Sequence, residues 1–340
     1  MNKSIKIIVF LCIIIAFSCS RDDDSSSSST ARSKDIYICG IESNGIHNIA
    51  KVWKNGVASN LTDGTKNTIA RSVFVSENDI YVAGYEENSL TRIAKLWKNG
   101  VVTDLSDGTQ FAYAYDVAVS GTNVYVVGFE SNGTKNVAKI WKNGVPTNLT
   151  DGTKNASANC IVISGIDVYV GGFESNGTKN VAKIWKNGSE IILSDGAFDN
   201  SVLSIELAGT DVYACGYAFN GTKYVAKIWK NGFATYPTDG GNTSYANSIA
   251  VSGNDVYVTG YESAGTVNVA KIWKNGVSTN LGNGIYNSYA SCITISENDV
   301  FVSGSEYNGT NNLAKYWKNG ITTNMSETPL NGQCYSIFIK

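Results

Sequence analysis

The tetrapeptide Trp-Lys-Asn-Gly occurs seven times at a constant interval of 44 residues and accounts for every tryptophan in the chain: Trp53, Trp97, Trp141, Trp185, Trp229, Trp273 and Trp317. No insertion or deletion breaks this register between residues 35 and 340, and residues 128–144 are identical to 172–188. Self-similarity at a fixed period means that one supersecondary unit is stacked many times, each unit burying its apolar face against the next. A single non-repeating core is therefore excluded for residues 35–340. The 34 glycines against 3 prolines suit many tight turns between strands.

One unit contains four short strands. In the third unit, residues 124–129 are β-branched and aromatic, and residues 131–134 turn the chain. Residues 136–141 form the next strand, and Asn143-Gly144 is a strong signal for a two-residue hairpin, since both turn positions need positive φ. Residues 145–149 follow. A longer link then leads to the strand at 158–163, and Ser164-Gly165 turns into the next unit. No segment has a 3.6-residue period.

Four-stranded units of about 40–50 residues are the period of β-propeller blades. On segments such as Tyr125-Val126-Val127-Gly128 and the Trp-Lys-Asn-Gly turns, the chain resembles seven-bladed propellers of kelch-like style. It lacks the Gly-His and Trp-Asp dipeptides of WD repeats. The resemblance implies an all-β, seven-bladed β-propeller of four-stranded blades. Connectivity sets the phase: the one long link per unit should carry the chain from an outermost strand to the next innermost one. The strand at 158–163 is then innermost. The chain enters the ring at residue 35 with a second strand, and the C-terminal strand completes the first blade beside residues 36–40. Such closure removes an open sheet edge. A ring closed on itself is expected to be monomeric.

The repeated columns read as scaffold. One buried tryptophan per blade fits the space between sheets, the alternative being a ring of stacking platforms for sugars. The glycines at 40, 84, 128, 172, 216, 260 and 304 suit close sheet-to-sheet approach. A lysine column (Lys51, Lys95, Lys139, Lys183, Lys227, Lys271 and Lys315) faces the Asn60, Asp104, Asn148 column. Each stem is expected to pack while its head pairs locally, the alternative being a cationic ring for an acidic ligand. The Asp-Gly turns at Asp63, Asp107, Asp151, Asp195 and Asp239 lack the spacing of a calcium loop and should bond their own backbone.

The varied columns point to function. The start of each innermost strand should lie on the face that carries the crossover loops, beside the central channel. The varied pairs are Ile69 and Arg71, Tyr113 and Tyr115, Ser157 and Asn159, Ser201 and Leu203, Tyr245 and Asn247, Tyr289 and Ser291, and Gln333 and Tyr335. As a candidate ligand-binding rim we take Arg71, Tyr113, Tyr115, Asn159, Leu203, Tyr245, Asn247, Tyr289, Ser291 and Tyr335. Tyrosine with small polar residues gives amphipathic contact area and adaptable hydrogen bonds. The alternative is drift at exposed loop ends. Residues 190–192, Phe198, Phe219, Tyr224 and Tyr236 form a local apolar departure in the fourth and fifth units, either a partner patch or a repacking.

Residues 1–18 read as a signal peptide, with Lys3 and Lys6 ahead of an apolar run at 7–17 that is too short to span a bilayer. Ala16-Phe17-Ser18-Cys19 resembles a lipobox, although Phe17 is bulky where a small residue is usual. The resemblance implies a lipid anchor on Cys19, the alternative being an ordinary secretory peptide. Residues 19–34 then form a Ser/Asp-rich tether ahead of the propeller at 35–340. The acidic cluster Asp22-Asp23-Asp24 is similar to the surface-export signal of Bacteroidota lipoproteins, which implies an outer-membrane or cell-surface location, with a lipid bilayer as partner.

Charge and cysteine content narrow the chemistry. A net charge of −2 gives no basic stripe for nucleic acid. One histidine, His47, removes most histidine-based catalysis and metal binding. No nucleophile–base pair is visible, and Asp116 and Glu206 are the acidic candidates along the inner strands. No metal or cofactor is expected. Beyond Cys12 and Cys19 lie Cys39, Cys160, Cys215, Cys292 and Cys334. Cys39 and Cys334 come from the two closing strands and, in the expected register, point to one face on a diagonal, so a disulfide between them is a candidate. The reading is a non-catalytic binding module for a glycan or protein ligand. The alternatives are a carbohydrate-active enzyme acting at the channel mouth and a structural envelope protein.

Overall fold

In the computed structural model, residues 34–326 and 330–340 are described. The leader, the candidate anchor Cys19 and the tether up to residue 33 lie outside them. Twenty-eight strands form seven four-stranded antiparallel sheets. The first blade has the order β28 (Gly332–Ile339), β1 (Ile36–Ser43), β2 (Asn48–Lys54), β3 (Val57–Asn60). The other six each use four consecutive strands. Their innermost members are β4 (Thr68–Ser76), β8 (Ala112–Ser120), β12 (Ala156–Ser164), β16 (Asn200–Ala208), β20 (Ser244–Ser252) and β24 (Ser288–Ser296). Strand β28 contacts both β24 and β4, so the ring is complete. Asp35 and Lys340 exchange both backbone hydrogen bonds at 2.9 Å, which secures the closure at its rim.

The tetrapeptide explains itself locally. Asn143 and Gly144 have φ of 52° and 81°, the two positive values that a type I′ turn demands, and all seven Asn-Gly turns share this form. The Asn143 side chain also accepts from Val124 N at 2.8 Å, pinning the turn to the start of the second strand. The lysine beside it packs over the aromatic ring of that strand, as Lys186 does 5.0 Å above Tyr169 while its ammonium pairs with Asp167 at 2.8 Å. All seven tryptophans are at most 2% exposed. Each lies against the preceding blade: Trp97 with Cys39, Ala50 and Val52, Trp141 with Tyr81, Ala83 and Ala94. They are packing residues, one per interface, and are not sugar platforms.

The disulfide candidate is not formed. Cys39 and Cys334 are both free thiols. Cys39 sits opposite Ser336 and Cys334 opposite Gly40, so Tyr335 is left out of the ladder. That extra residue inverts the side-chain alternation. Cys39 thus packs towards the second blade with Ala70 and Trp97, while Cys334 packs towards the seventh with Phe301 and Ala314.

The lysine column pairs mainly with glutamates on the neighbouring strand. Lys139–Glu130, Lys183–Glu174 and Lys271–Glu262 are at 2.6–2.7 Å, Lys95–Glu86 at 3.6 Å, and Lys51–Glu42 and Lys315–Glu306 are also paired. Lys95 reaches the expected facing column as well, at Asp104. A cationic ring is therefore absent. The Asp-Gly turns bond their own backbone: Thr153 N donates to Asp151 Oδ1 at 2.9 Å, which holds that carboxyl below its usual range.

Candidate functional site

Every innermost strand carries a β-bulge at the same place. Its unpaired residue is Arg71, Tyr115, Asn159, Leu203, Asn247, Ser291 or Tyr335, each skipped by the ladder to the second strand. The cause is the glycine column. A Cβ on Gly40, Gly84, Gly128, Gly172, Gly216, Gly260 or Gly304 would meet the carbonyl oxygen of the innermost strand at 1.8–2.0 Å. The expectation of close approach between sheets is thus corrected: the contact is within one sheet, and it lets the innermost strand buckle.

All seven bulge residues line a single cavity of about 550 Å³ at the mouth of the central channel. Tyr289 lines it too, so eight of the ten candidate rim residues converge. Tyr113 and Tyr245 do not. Tyr113 lies between blades, 4.5 Å from the Tyr85 ring and 4.7 Å from Phe129, and its hydroxyl accepts from Arg92. Tyr245 likewise stacks between Tyr217 and Tyr261. They sit two residues before the bulge, in the column from which Ser157, Ser201, Tyr289 and Gln333 do reach the cavity, so the position alone does not exclude them. Phe129, Phe173 and Tyr217 line the cavity from second strands and were missed. The signal was available, because aromatic residues follow the column glycine in five units (Tyr85, Phe129, Phe173, Tyr217 and Tyr261).

Arg71 is the one cationic residue on the cavity wall and has no ion pair among the described residues. Its guanidinium lies 4.6 Å from the Tyr335 ring and 5.6 Å from Tyr115, a cation between two π-faces from adjacent blades. Burial pushes the Tyr115 phenol up to about 12 and raises Tyr335 as well, with the nearby guanidinium opposing both. Both hydroxyls are therefore neutral donors and acceptors at physiological pH.

Behind the bulge residues runs a collar: Ser72, Asp116, Cys160, Ser204, Ser248, Cys292 and Ser336. Several reach to the next blade. Val73 N donates to Ser336 Oγ at 3.3 Å, Ile249 N to Ser204 Oγ at 3.3 Å, and Ile293 N to Ser248 Oγ at 3.2 Å. Asp116 spans three blades, accepting from Ser72 Oγ at 2.6 Å, Val117 N at 2.9 Å and Ile161 N at 2.9 Å. Burial raises its carboxyl to about 6 against these three bonds. Glu206, farther along its strand, is raised to about 7 by burial. Cys160 and Cys292 line the cavity, and burial raises both thiols above their usual range, which keeps them protonated. His47 sits in the β1–β2 turn. The mouth thus combines stacking surfaces, one cation, the Asp116 carboxyl and uncharged donors and acceptors, which are means of holding a ligand.

No protein-family model and no curated protein matches the chain. Among solved structures, the β-propeller domain of the Trilobed protease from Pyrococcus furiosus, described as having an open velcro topology, is similar at a TM-score of 0.41 and 10% identity, over 76% of this chain and 97% of that one.

Proposed function

We propose that the propeller is a non-catalytic binding module whose ligand, a glycan or a protein segment, seats in the channel mouth, and that the chain is held at the cell envelope through a lipid on Cys19. One observation carries the binding reading. At the single structural position that the bulge presents to the channel, seven blades offer Arg, Tyr, Asn, Leu, Asn, Ser and Tyr, while the surrounding scaffold columns repeat. Tyrosine faces give stacking area, and Arg71 with Ser291 and Gln333 gives directional polar contacts. Part of the polar set is already committed: Asn159 donates to Val202 O at 2.8 Å and Asn247 to Ala290 O at 2.9 Å. The adaptable groups therefore concentrate on the Arg71, Tyr115 and Tyr335 side.

The test is a glycan array and a pull-down from envelope extracts with the wild type and Arg71→Ala. Binding that falls by about tenfold or more in the variant at an unchanged melting temperature supports the reading. Turnover of a polysaccharide, or capture indifferent to Arg71, overturns it. For the anchor, Cys19→Ala should move the protein from the membrane to the soluble fraction.

A further inference from the structure

The fifth blade, formed by β16, β17 (Asp211–Phe219), β18 (Tyr224–Lys230) and β19 (Phe233–Thr235), breaks the lysine–glutamate pattern. Ala218 stands where the other six blades carry Glu42, Glu86, Glu130, Glu174, Glu262 or Glu306. Lys227 is nonetheless retained and only 8% exposed. Its ammonium donates to Asn200 Oδ1 at 3.1 Å and lies 5.1 Å from the Trp229 ring and 5.5 Å from Tyr236. It has no carboxylate partner among the described residues. A nearly buried ammonium held only by an amide and two π-faces is short of the counter-charge that its six equivalents have.

Further replacements meet at the same spot. Pro237 occupies the place of Leu61, Leu105, Leu149, Leu193, Leu281 or Met325. Those residues donate a backbone N–H to the alanine column, as Leu193 does to Ala182 O at 2.9 Å, and proline has none to give. Strand β19 accordingly stops at Thr235, and Tyr236 falls outside the ladder. Beside these replacements lies a cavity of about 250 Å³ whose wall includes Ala218, Phe219, Val225, Tyr236 and Thr238; Lys227 is not itself on the wall but stands behind it, its ammonium 5.5 Å from the Tyr236 ring. Ala218 and Val225 face each other in the ladder, on the side that Lys227 shares two residues later. The cavity therefore begins where a glutamate side chain leaves the sheet in the other blades. Asp239, the acidic group on its wall, accepts from Gly241 N at 2.9 Å within its own loop. The volume lies just below the ~300–1,000 Å³ of drug-sized sites and suits a single ring or short chain.

We infer that this cavity binds a small carboxylate with an aromatic or aliphatic body. The ligand's carboxylate replaces the missing glutamate on Lys227, and its body packs against Phe219 and Tyr236. The site shares no wall residue with the channel mouth, so it stands or falls apart from the function proposed above.

The probe is 3-phenylpropionate titrated into the full chain by isothermal titration calorimetry, with neutral 3-phenylpropanamide as control. Saturable binding of the acid is expected, about tenfold tighter than the amide. The double variant Asn200→Ser/Ala218→Glu restores the pattern of the sixth and seventh blades, and it should fold normally and lose the site. Lys227→Met should abolish the preference for acid over amide. The inference is overturned by equal binding of acid and amide, by binding that survives in a folded Asn200→Ser/Ala218→Glu variant, or by no saturable binding of the acid at about 20 mM.

Discussion

The Cα of Gly128 faces the backbone of Tyr113 so closely that a β-carbon there would lie 1.8 Å from the Tyr113 carbonyl oxygen. Strand 123–131 is fixed on its other side by the hairpin to Trp141, so it cannot retreat. Gly128→Ala should therefore force the bulge at Tyr115 out of shape and cost about 3 kcal/mol or more, at the upper end for overpacking. Chemical denaturation reads this directly. A loss below about 1 kcal/mol would mean that the bulge can relax without glycine.

Glu206 gives a stability change with a defined sign. Burial raises its folded-state carboxyl to about 7, above its value in the unfolded chain. The folded state holds the proton more tightly, so stability declines as pH rises from about 4.5 to about 7 and is level on either side for this group. Glu206→Gln removes the decline. The variant should match wild type near pH 4 and exceed it by about 2 kcal/mol near pH 8, after allowance for water in the channel. Equal melting temperatures at both pH values would show that the carboxyl is solvated.

Asp116 tests the collar. Asp116→Ala strips three acceptor contacts and leaves Ile161 N and Ser72 Oγ without partners between blades, at a cost of about 2–4 kcal/mol. Asp116→Ser restores the residue found at four collar positions and should recover most of that loss. If the serine variant is as unstable as the alanine one, a single acceptor for Ile161 N is not enough, and the three-blade bridge is what the carboxylate contributes.

The cysteines make a simple prediction. A protein beginning at Lys34 should show five reactive thiols once unfolded under non-reducing conditions, and slow reaction when folded, because four of the five are buried. Three thiols would establish a disulfide and contradict the opposite placement of Cys39 and Cys334.

Much of the scaffold was legible because a sevenfold repeat with no length variation lets one unit speak for all. Asn143-Gly144 specified its turn, and the long link at 150–155 specified which strand lies inside. What escaped was the bulge. It leaves no mark on the strand that buckles; its trace is the glycine opposite, and Gly128 is equally compatible with tight packing between sheets. The cysteine error follows from that omission: Cys39 and Cys334 were placed on one face because an unbroken ladder was assumed. Tyr113 was lost for a different reason, since its ring is taken up in a stack with Tyr85, Tyr115 and Phe129. The glutamate partners of the lysines were missed for another reason: Glu130 and Lys139 meet across a turn at 131–135 whose length alone does not set the pairing.

The bulge also separates two kinds of constraint. A residue left out of the ladder answers to no cross-strand neighbour, and the glycine that permits it is supplied by a different strand. Arg71 can thus be exchanged without disturbing the framework that displays it, whereas Asn159 and Asn247 also bond the next blade. Variation gathers where the ladder makes no demand, so the face of the ring can change while its architecture is inherited unchanged.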